Sequence, residues 1–280
     1  MTETTTDLAA KTIPSAIGQD WDTSSHEDFY KYYEKQSLTP ATMARFKDAT
    51  AMLLRIMGGP TGHGRLDIMD VGCGAGSQSK FWLERGHKYW GLDINEPLIL
   101  LARRRAEIEG LDARFDVGTA TQLPCADASV DICLLPELLE HVDDWQSCVS
   151  EAARILRPNG LLYINTSSRL CPVQQEFNLP LYSWYPAALK RHFVKLSLTS
   201  KPALANFAKY PAVNWFSFYQ LQRHLAPSGF TCFDRFALID ASAKSGIAKM
   251  VISAVRSSSL LQYVGQVMTP YTLVVARKPG

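Results

Sequence analysis

The sequence predicts an α/β domain with a doubly wound parallel sheet, and three observations carry that prediction. From Leu66 to Thr166 short apolar runs alternate with helical stretches, and strict strand–helix alternation implies right-handed crossovers between parallel strands. A glycine cluster, Gly72, Gly74 and Gly76 in IMDVGCGAGSQS, stands where the first strand gives way to the first helix. An aspartate, Asp93, closes the second strand, 93 − 72 = 21 positions after the first of those glycines.

Taken in order, residues 1–20 are Thr-rich, with no basic flank and no long apolar run. They predict a disordered tail rather than a signal peptide or a membrane span. Residues 21–60 predict an N-terminal helical cap. Aromatics at Phe29, Tyr30, Tyr32 and Tyr33 lead into Met43, Phe46, Met52, Leu53 and Ile56, whose later spacings of three and four suggest one amphipathic helix. Gly58, Gly59, Pro60, Gly62 and Gly64 end it and mark a boundary. Residues 61–280 then read as one domain. LDIMDVG, YWGLDI, ARFDVGT, VDICLLP and GLLYINT are strands, SQSKFWLERG and PLILLARRRAEIEG are helices, and Gly110 stops the second. A helix from about Trp145 to Leu156 is terminated by Pro158, Asn159 and Gly160.

After Thr166 the alternation breaks. An insertion at about 167–214 begins a run of eight aromatics, from Phe177 to Trp215, and its length predicts a lid over an acceptor. Its aromatics either face the pocket, favouring an aromatic or apolar acceptor, or pack a core. FSFYQLQRHLAPSGF resumes as a helix, FTCFDRFALI as a strand and TPYTLVVARKP as the last strand. Between the last two, a second insertion at 242–268 puts Ile247, Met250, Val251, Ala254 and Val255 on one helical face, with Lys244 and Arg256 nearby. Core, lid and membrane-facing readings of that face stay open.

Composition bounds the function. With 29 Lys+Arg against 27 Asp+Glu the net charge is +2, too balanced for a broad nucleic-acid footprint. Six cysteines without a CxxC pair or zinc-type spacing read as reduced thiols in a cytoplasmic protein. No stable membrane insertion is expected, and oligomeric state is not encoded in any motif.

The glycine turn lets a polar group approach backbone N–H groups at a helix N-terminus with no Cβ in the way, and a carboxylate at Asp93 can accept both hydroxyls of a ribose. A dinucleotide fingerprint GxGxxG would want glycine or alanine at position 77, where Ser77 stands. The GxGxG spacing, with acidic Asp70 before it, resembles motif I of class I S-adenosylmethionine-dependent methyltransferases. GLDIN around Asp93 and RILRPNGLLYINT are similar to later elements of that superfamily, over roughly Leu66 to Thr166 and more loosely Phe216 to Lys278. The resemblance implies a Rossmann-like seven-stranded sheet with its last strand antiparallel. It implies S-adenosyl-L-methionine as cofactor, with Gly72, Gly74 and Gly76 along the methionine part, Asp93 on the ribose and Ile94 on the adenine face. Asp70 and Leu135 complete the implied set. Where many relatives carry an acidic residue at the adenine amine, this chain reads VGTATQLP, so Thr119 or Ala120 must serve.

Methyl transfer is an in-line displacement, and a base is needed only when the acceptor carries a proton. The segment after the fourth strand is LLPELLEHVDDW. If helical, it places Glu137, Glu140 and His141 on one face, able to bind a hard cation such as Mg2+ or to deprotonate a hydroxyl. ELLEHV resembles the ExxEH element of ubiquinone-biosynthesis O-methyltransferases, which implies Glu137, Glu140 and His141 as catalytic and metal-ligating residues. The alternative leaves His141 near the cofactor and both glutamates solvated. His192 is a second imidazole candidate, more often a surface residue beside Lys190 and Arg191. With no NPPY or DPPY after the fourth strand, amide and adenine nitrogens are disfavoured. The expected activity is methylation of a small molecule, at oxygen before carbon or nitrogen. A nicotinamide-dependent oxidoreductase and a non-catalytic cofactor-binding protein are the competing classes.

Overall fold

The computed structural model describes residues 37–58, 64–206, 208, 210–241 and 245–280. The tail at 1–20, the cap from 21 to 36 with its aromatics Phe29 to Tyr33, the boundary residues Gly59, Pro60 and Gly62, Phe207 and Lys244 lie outside the described residues.

Helix α1 (Pro40–Met57) carries the amphipathic stretch from Met43 to Ile56 and is capped at both ends. The Thr39 side chain accepts from the Thr42 N–H, Pro40 sits in the first turn, and Gly58 closes the helix at φ 133°. The sheet is built from β1 (Asp67–Val71), β2 (Lys88–Asp93), β3 (Arg114–Val117), β4 (Val130–Pro136), β5 (Leu156–Ser167), β6 (Thr231–Asp234) and β7 (Tyr271–Arg277). Its order is β3-β2-β1-β4-β5-β7-β6. β7 runs antiparallel to both β5 and β6, and the other pairings are parallel. This is the expected seven-stranded Rossmann-like sheet with its last strand reversed.

Each sheet face is covered by its own core. On one side α4 (Trp145–Ile155) and α6 (Phe218–Leu225) bury Val149, Ala152, Phe218 and Leu221 against Met69, Leu135, Leu162 and Val274. On the other, α1, α2 (Ser79–Leu83) and α3 (Glu96–Glu109) bury Leu53, Trp82 and Ile99 against Ile68, Ile132 and Tyr163. The strands are apolar on both faces because both are covered.

Two boundaries differ from the sequence reading. Pro158, Asn159 and Gly160 do not end a helix by themselves: α4 stops at Ile155 and the strand begins at Leu156. Pairing jumps from Val130–Leu156 to Ile132–Leu161, so these residues form a bulge, with Asn159 at φ 65°. A Cβ at Gly160 would stand 2.9 Å from the carbonyl oxygens of Arg157 and Asp131, so only glycine lets the bulge lie this close to β4. Similarly, FTCFDRFALI is strand only to Asp234. The Asp234 carboxylate then accepts from the Ala237 N–H and caps a short helix, α7 (Arg235–Leu238).

The insertion after β5 folds as a 3-10 turn at Tyr182–Trp184 followed by α5 (Ala187–Thr199). Most of its described aromatics make a separate small core. Phe177 stacks on Tyr182 at 4.2 Å between centroids, Trp215 meets Tyr182 edge-on, and Tyr185 and Phe193 pack around them. The 242–268 insertion forms α8 (Gly246–Ser257) and α9 (Ser259–Val267), joined through Ser258, which caps the second helix.

Candidate active site

The loop leaving β1 turns sharply under backbone control. The N–H groups of Gly72 and Cys73 both donate to the Leu92 carbonyl on β2, at 2.7 and 3.1 Å. Gly72 sits at φ +76°, and a Cβ there would come within 2.9 Å of Leu138 Cδ1. Gly76, at φ +68°, has a different reason: a Cβ would stand 2.6 Å from Phe115 Cζ, so it lets the loop pack on the sheet. Gly74 donates its N–H to Asp93 Oδ2 at 2.9 Å, and the Asn95 N–H donates to Asp93 Oδ1 at 2.8 Å. Burial raises the Asp93 carboxyl above its ordinary range against these stabilising donors.

These elements open onto a cleft of about 640 Å³ at the C-terminal ends of β1, β2 and β4, the expected position for a ligand in an open α/β sheet. Gly72, Asp93, Ile94, Thr119 and Ala120 line it. The remaining predicted cofactor residues do not. Gly74 and Gly76 are buried behind the loop. Leu135 is fully buried in the core, a correction that follows from its inward position on a strand covered on both faces. Asp70 is also fully buried beneath the turn, where its Oδ2 accepts from Gln78 Nε2 at 2.7 Å and from the Tyr89 hydroxyl. Its Oδ1 has no hydrogen-bond partner among the described residues, and burial raises the carboxyl to about 7. The residues present fit an amino acid joined to a nucleoside: a turn without side chains at one end, and an acceptor carboxylate beside the exposed Ile94 at the other.

The opposite wall corrects the metal expectation. Glu137, Glu140 and His141 do not lie on one helix face, because Glu137 takes φ 51° and only Leu139–His141 form a 3-10 turn. Glu137 pairs with Arg45 of α1 at 2.5 Å. Glu140 is fully buried, its Oε2 accepting from Thr166 Oγ1 at 2.7 Å and its carbonyl from the N–H groups of Val213 and Asn214. Burial, then the nearby Glu176 charge, raises its carboxyl. His141 lines the cleft and faces Glu176, Nε2 to Oε2 at 3.9 Å. The three side chains thus point to three different partners, and no cluster of three His, Cys, Asp or Glu suited to a metal occurs among the described residues. They do not fit Mg2+.

Sequence reasoning missed the rest of this wall. Arg45 and Phe46 come from α1, Gln175, Glu176 and Tyr210 from the insertion, and Tyr271 from the start of β7. Tyr271 donates its hydroxyl to Gln175 Oε1 at 2.7 Å, and Glu176 Oε1 accepts from Ser167 Oγ at 2.7 Å. No spacing marks these residues, since distant segments bring them together. Of the described aromatics in the insertion, Tyr210 alone lines the cleft, so the insertion does not give the cleft an aromatic wall. His192 is exposed on α5 against Phe193, away from the cleft, and no described residue of 242–268 lines it.

Residues 69–164 match the methyltransferase domain family. The chain is 30% identical over 112 residues to a malonyl-[acyl-carrier protein] O-methyltransferase of Serratia marcescens, covering 40% of this chain and 42% of that protein. It is 35% identical over 104 residues to a ubiquinone biosynthesis O-methyltransferase of Rhizobium rhizogenes, covering 37% and 42%. It therefore spans less than half the length of these curated relatives. In fold it resembles the PH0226 protein of Pyrococcus horikoshii, with a TM-score of 0.54 at 16% identity, over 89% of this chain and 99% of that one. The domain match, the reversed seventh strand and the glycine turn agree: residues 69–164 carry a methyltransferase domain, set in a sheet of the class I S-adenosylmethionine-dependent kind.

Proposed function

We propose that this chain transfers the methyl group of S-adenosylmethionine to a hydroxyl oxygen of a small-molecule acceptor, with His141 taking the hydroxyl proton. The observation that carries the reading is a single cleft that joins the glycine turn, Asp93 and Ile94 on one wall to His141 and Glu176 on the other. The bound cofactor supplies an electrophilic methyl on a sulfonium whose charge is neutralised on transfer, so the protein's main task is alignment. Each Asp93 oxygen accepts one backbone N–H and keeps a lone pair for a ribose hydroxyl. Ile94, half in solvent, offers an apolar face to adenine, with Thr119 and Ala120 beyond it. On the acceptor side, the Arg45–Glu137 pair, Glu176 and the Tyr271–Gln175 pair make a polar wall, which favours a hydroxylated acceptor over a wholly apolar one. Both curated relatives bear the name O-methyltransferase, which supports oxygen as the acceptor atom. Proton removal is assigned to a side chain, because the carboxylates that a divalent ion would need are committed elsewhere.

Calorimetric titration with S-adenosylhomocysteine and, separately, with NAD tests the donor half; binding of NAD in place of S-adenosylhomocysteine overturns it. Labelled-methyl transfer to a panel of hydroxylated acceptors tests the other half. His141→Ala is expected to lower transfer by roughly 100-fold or more while S-adenosylhomocysteine affinity is retained, and an undiminished rate removes His141 as the base.

A further inference from the structure

Tyr210 sits apart from the other rings of the insertion. Phe177, Tyr182 and Trp215 are buried against one another, whereas Tyr210 keeps 41% of its surface exposed and lines the cleft together with Asp93, Ile94 and Ala120. The two tyrosines of the cleft feel different carboxylates. Burial, then Glu137 and Glu176, raises the Tyr271 hydroxyl; burial, then Asp93, raises that of Tyr210. Tyr271 therefore stands on the side of His141, and Tyr210 on the side of the glycine turn.

The chain on both sides of Tyr210 is fastened down. Pro211 follows at once and restricts the backbone there. Ala212 is buried in the small core of the insertion. The N–H groups of Val213 and Asn214 donate to the Glu140 carbonyl at 2.7 and 3.1 Å, and Asn214 Nδ2 donates to the carbonyls of Leu139 and Val142 at 3.3 and 2.7 Å. The segment after Tyr210 is thus tied to the 3-10 turn that carries His141. On the other side, Asn206 Nδ2 donates to the Gln175 carbonyl at 2.9 Å, and Asn206 Oδ1 accepts from Asn178 Nδ2 at 2.9 Å. A ring held between two such anchors loses little freedom when a ligand packs on it.

The chemistry of a nucleoside matches what this position offers. An adenosine held by Asp93 and resting on Ile94 has a second flat side to cover, and an aromatic ring covers a base or sugar face well. A phenol hydroxyl both donates and accepts, so beside a carboxylate it can take a ribose hydroxyl that the carboxylate alone leaves half satisfied. We infer that Tyr210 belongs to the donor site, its ring covering the nucleoside and its hydroxyl joining Asp93 at the ribose. The inference rests on the donor reading given above and adds to it a residue from the insertion. One segment then serves both substrates, since the same insertion supplies Gln175 and Glu176 to the acceptor wall.

The test is calorimetric titration of the full chain with S-adenosylhomocysteine, with thermal melts of the unliganded proteins run beside it. Tyr210→Ala is expected to weaken binding by about tenfold through loss of the ring, and Tyr210→Phe by about threefold through loss of the hydroxyl. Tyr271→Phe, the same deletion at the other tyrosine of the cleft, is expected to leave the affinity at the wild-type value. Wild-type affinity in Tyr210→Ala overturns the inference and leaves the donor reading standing, whereas a wild type that does not bind S-adenosylhomocysteine overturns both. Equal weakening by Tyr210→Phe and Tyr271→Phe also overturns it, because the two hydroxyls would then not be divided between donor and acceptor. Should Tyr210→Ala melt early, Tyr210→Phe keeps the ring and decides the matter: unchanged affinity there removes the hydroxyl from the ribose.

Discussion

Asp70→Asn isolates the cost of a carboxyl held in the dry space beneath the glycine turn. The group is fully buried, two donors reach one of its oxygens, and burial carries it from 3.8 to about 7. A carboxyl whose native value lies above its unfolded value binds more protons folded than unfolded across that interval. Its contribution to stability is therefore greatest in acid and is lost as pH rises from about 4 to about 7. At about 1.4 kcal/mol per pH unit, raising pH from about 5 to about 8 should withdraw on the order of 3 kcal/mol from the wild type through this residue alone. Asparagine keeps an acceptor for Gln78 and Tyr89 and has no proton to lose. Urea unfolding followed by tryptophan fluorescence at both pH values gives the comparison, and differencing the two proteins cancels the titrating groups that do not interact with Asp70. The variant should gain on the wild type by ~3 kcal/mol between the two conditions. Parallel pH profiles would refute the reasoning, since they would mean that Asp70 is ionised at little cost.

Gly76→Ala combines a left-handed backbone with a Cβ 2.6 Å from Phe115 Cζ and 3.0 Å from Ala102 Cβ. It should cost about 2–4 kcal/mol, and an unchanged melting temperature would contradict that packing. Asp93→Ala removes the acceptor shared by Gly74 and Asn95; S-adenosylhomocysteine affinity should fall by about tenfold or more, read by calorimetry, and unaltered affinity would detach Asp93 from the ribose. Glu140→Gln should cost under about 1 kcal/mol near neutral pH, because the buried carboxyl is already raised and the amide preserves its size, whereas Glu140→Ala should cost about 3 kcal/mol. Chemical denaturation distinguishes them, and equal losses would show that charge rather than shape matters there. Chelator should leave methyl transfer unchanged, and a chelator-sensitive rate would reopen the question of a cation.

The proposed donor half of the site was legible in outline, because its turn and its carboxylate are local to one strand–turn–strand stretch. The strand, the glycine turn and the next strand's aspartate fall within 27 consecutive residues, from Asp67 to Asp93, and each has a backbone reason to be where it is. The acceptor half was not, because the side chains facing His141 come from Arg45, Glu176 and Tyr271, residues set by tertiary packing and marked by no spacing. The helical reading of ELLEHV failed at one dihedral. Glu137 enters the left-handed region as its N–H donates to the Asn165 carbonyl at 2.6 Å, and the expected i, i+3, i+4 face disappears. Helix α2 is shorter than the stretch read for it, and α7 stands where a strand was expected, since turns around Gly86 and capping by Asp234 outweigh apolar periodicity over so few residues. The apolar stripe of α8 was visible, but its outward orientation was not, because pattern alone reports a face and not its direction.

The insertion after β5 keeps its stacked rings apart from both layers that flank the sheet. What joins it to the rest near the cleft is polar: the Glu140 carbonyl with Val213 and Asn214, the Asn214 amide with Leu139 and Val142, Gln175 with Tyr271, and Glu176 with His141. Such a segment can be resized or rebuilt with little effect on the sheet, provided those tethers and Tyr210, which lies near enough to Asp93 to feel its charge, persist. Under the proposed function, recognition of the acceptor is thereby free to drift more than the glycine turn, and chimaeras that exchange residues 168–212 are the natural place to alter what this scaffold modifies.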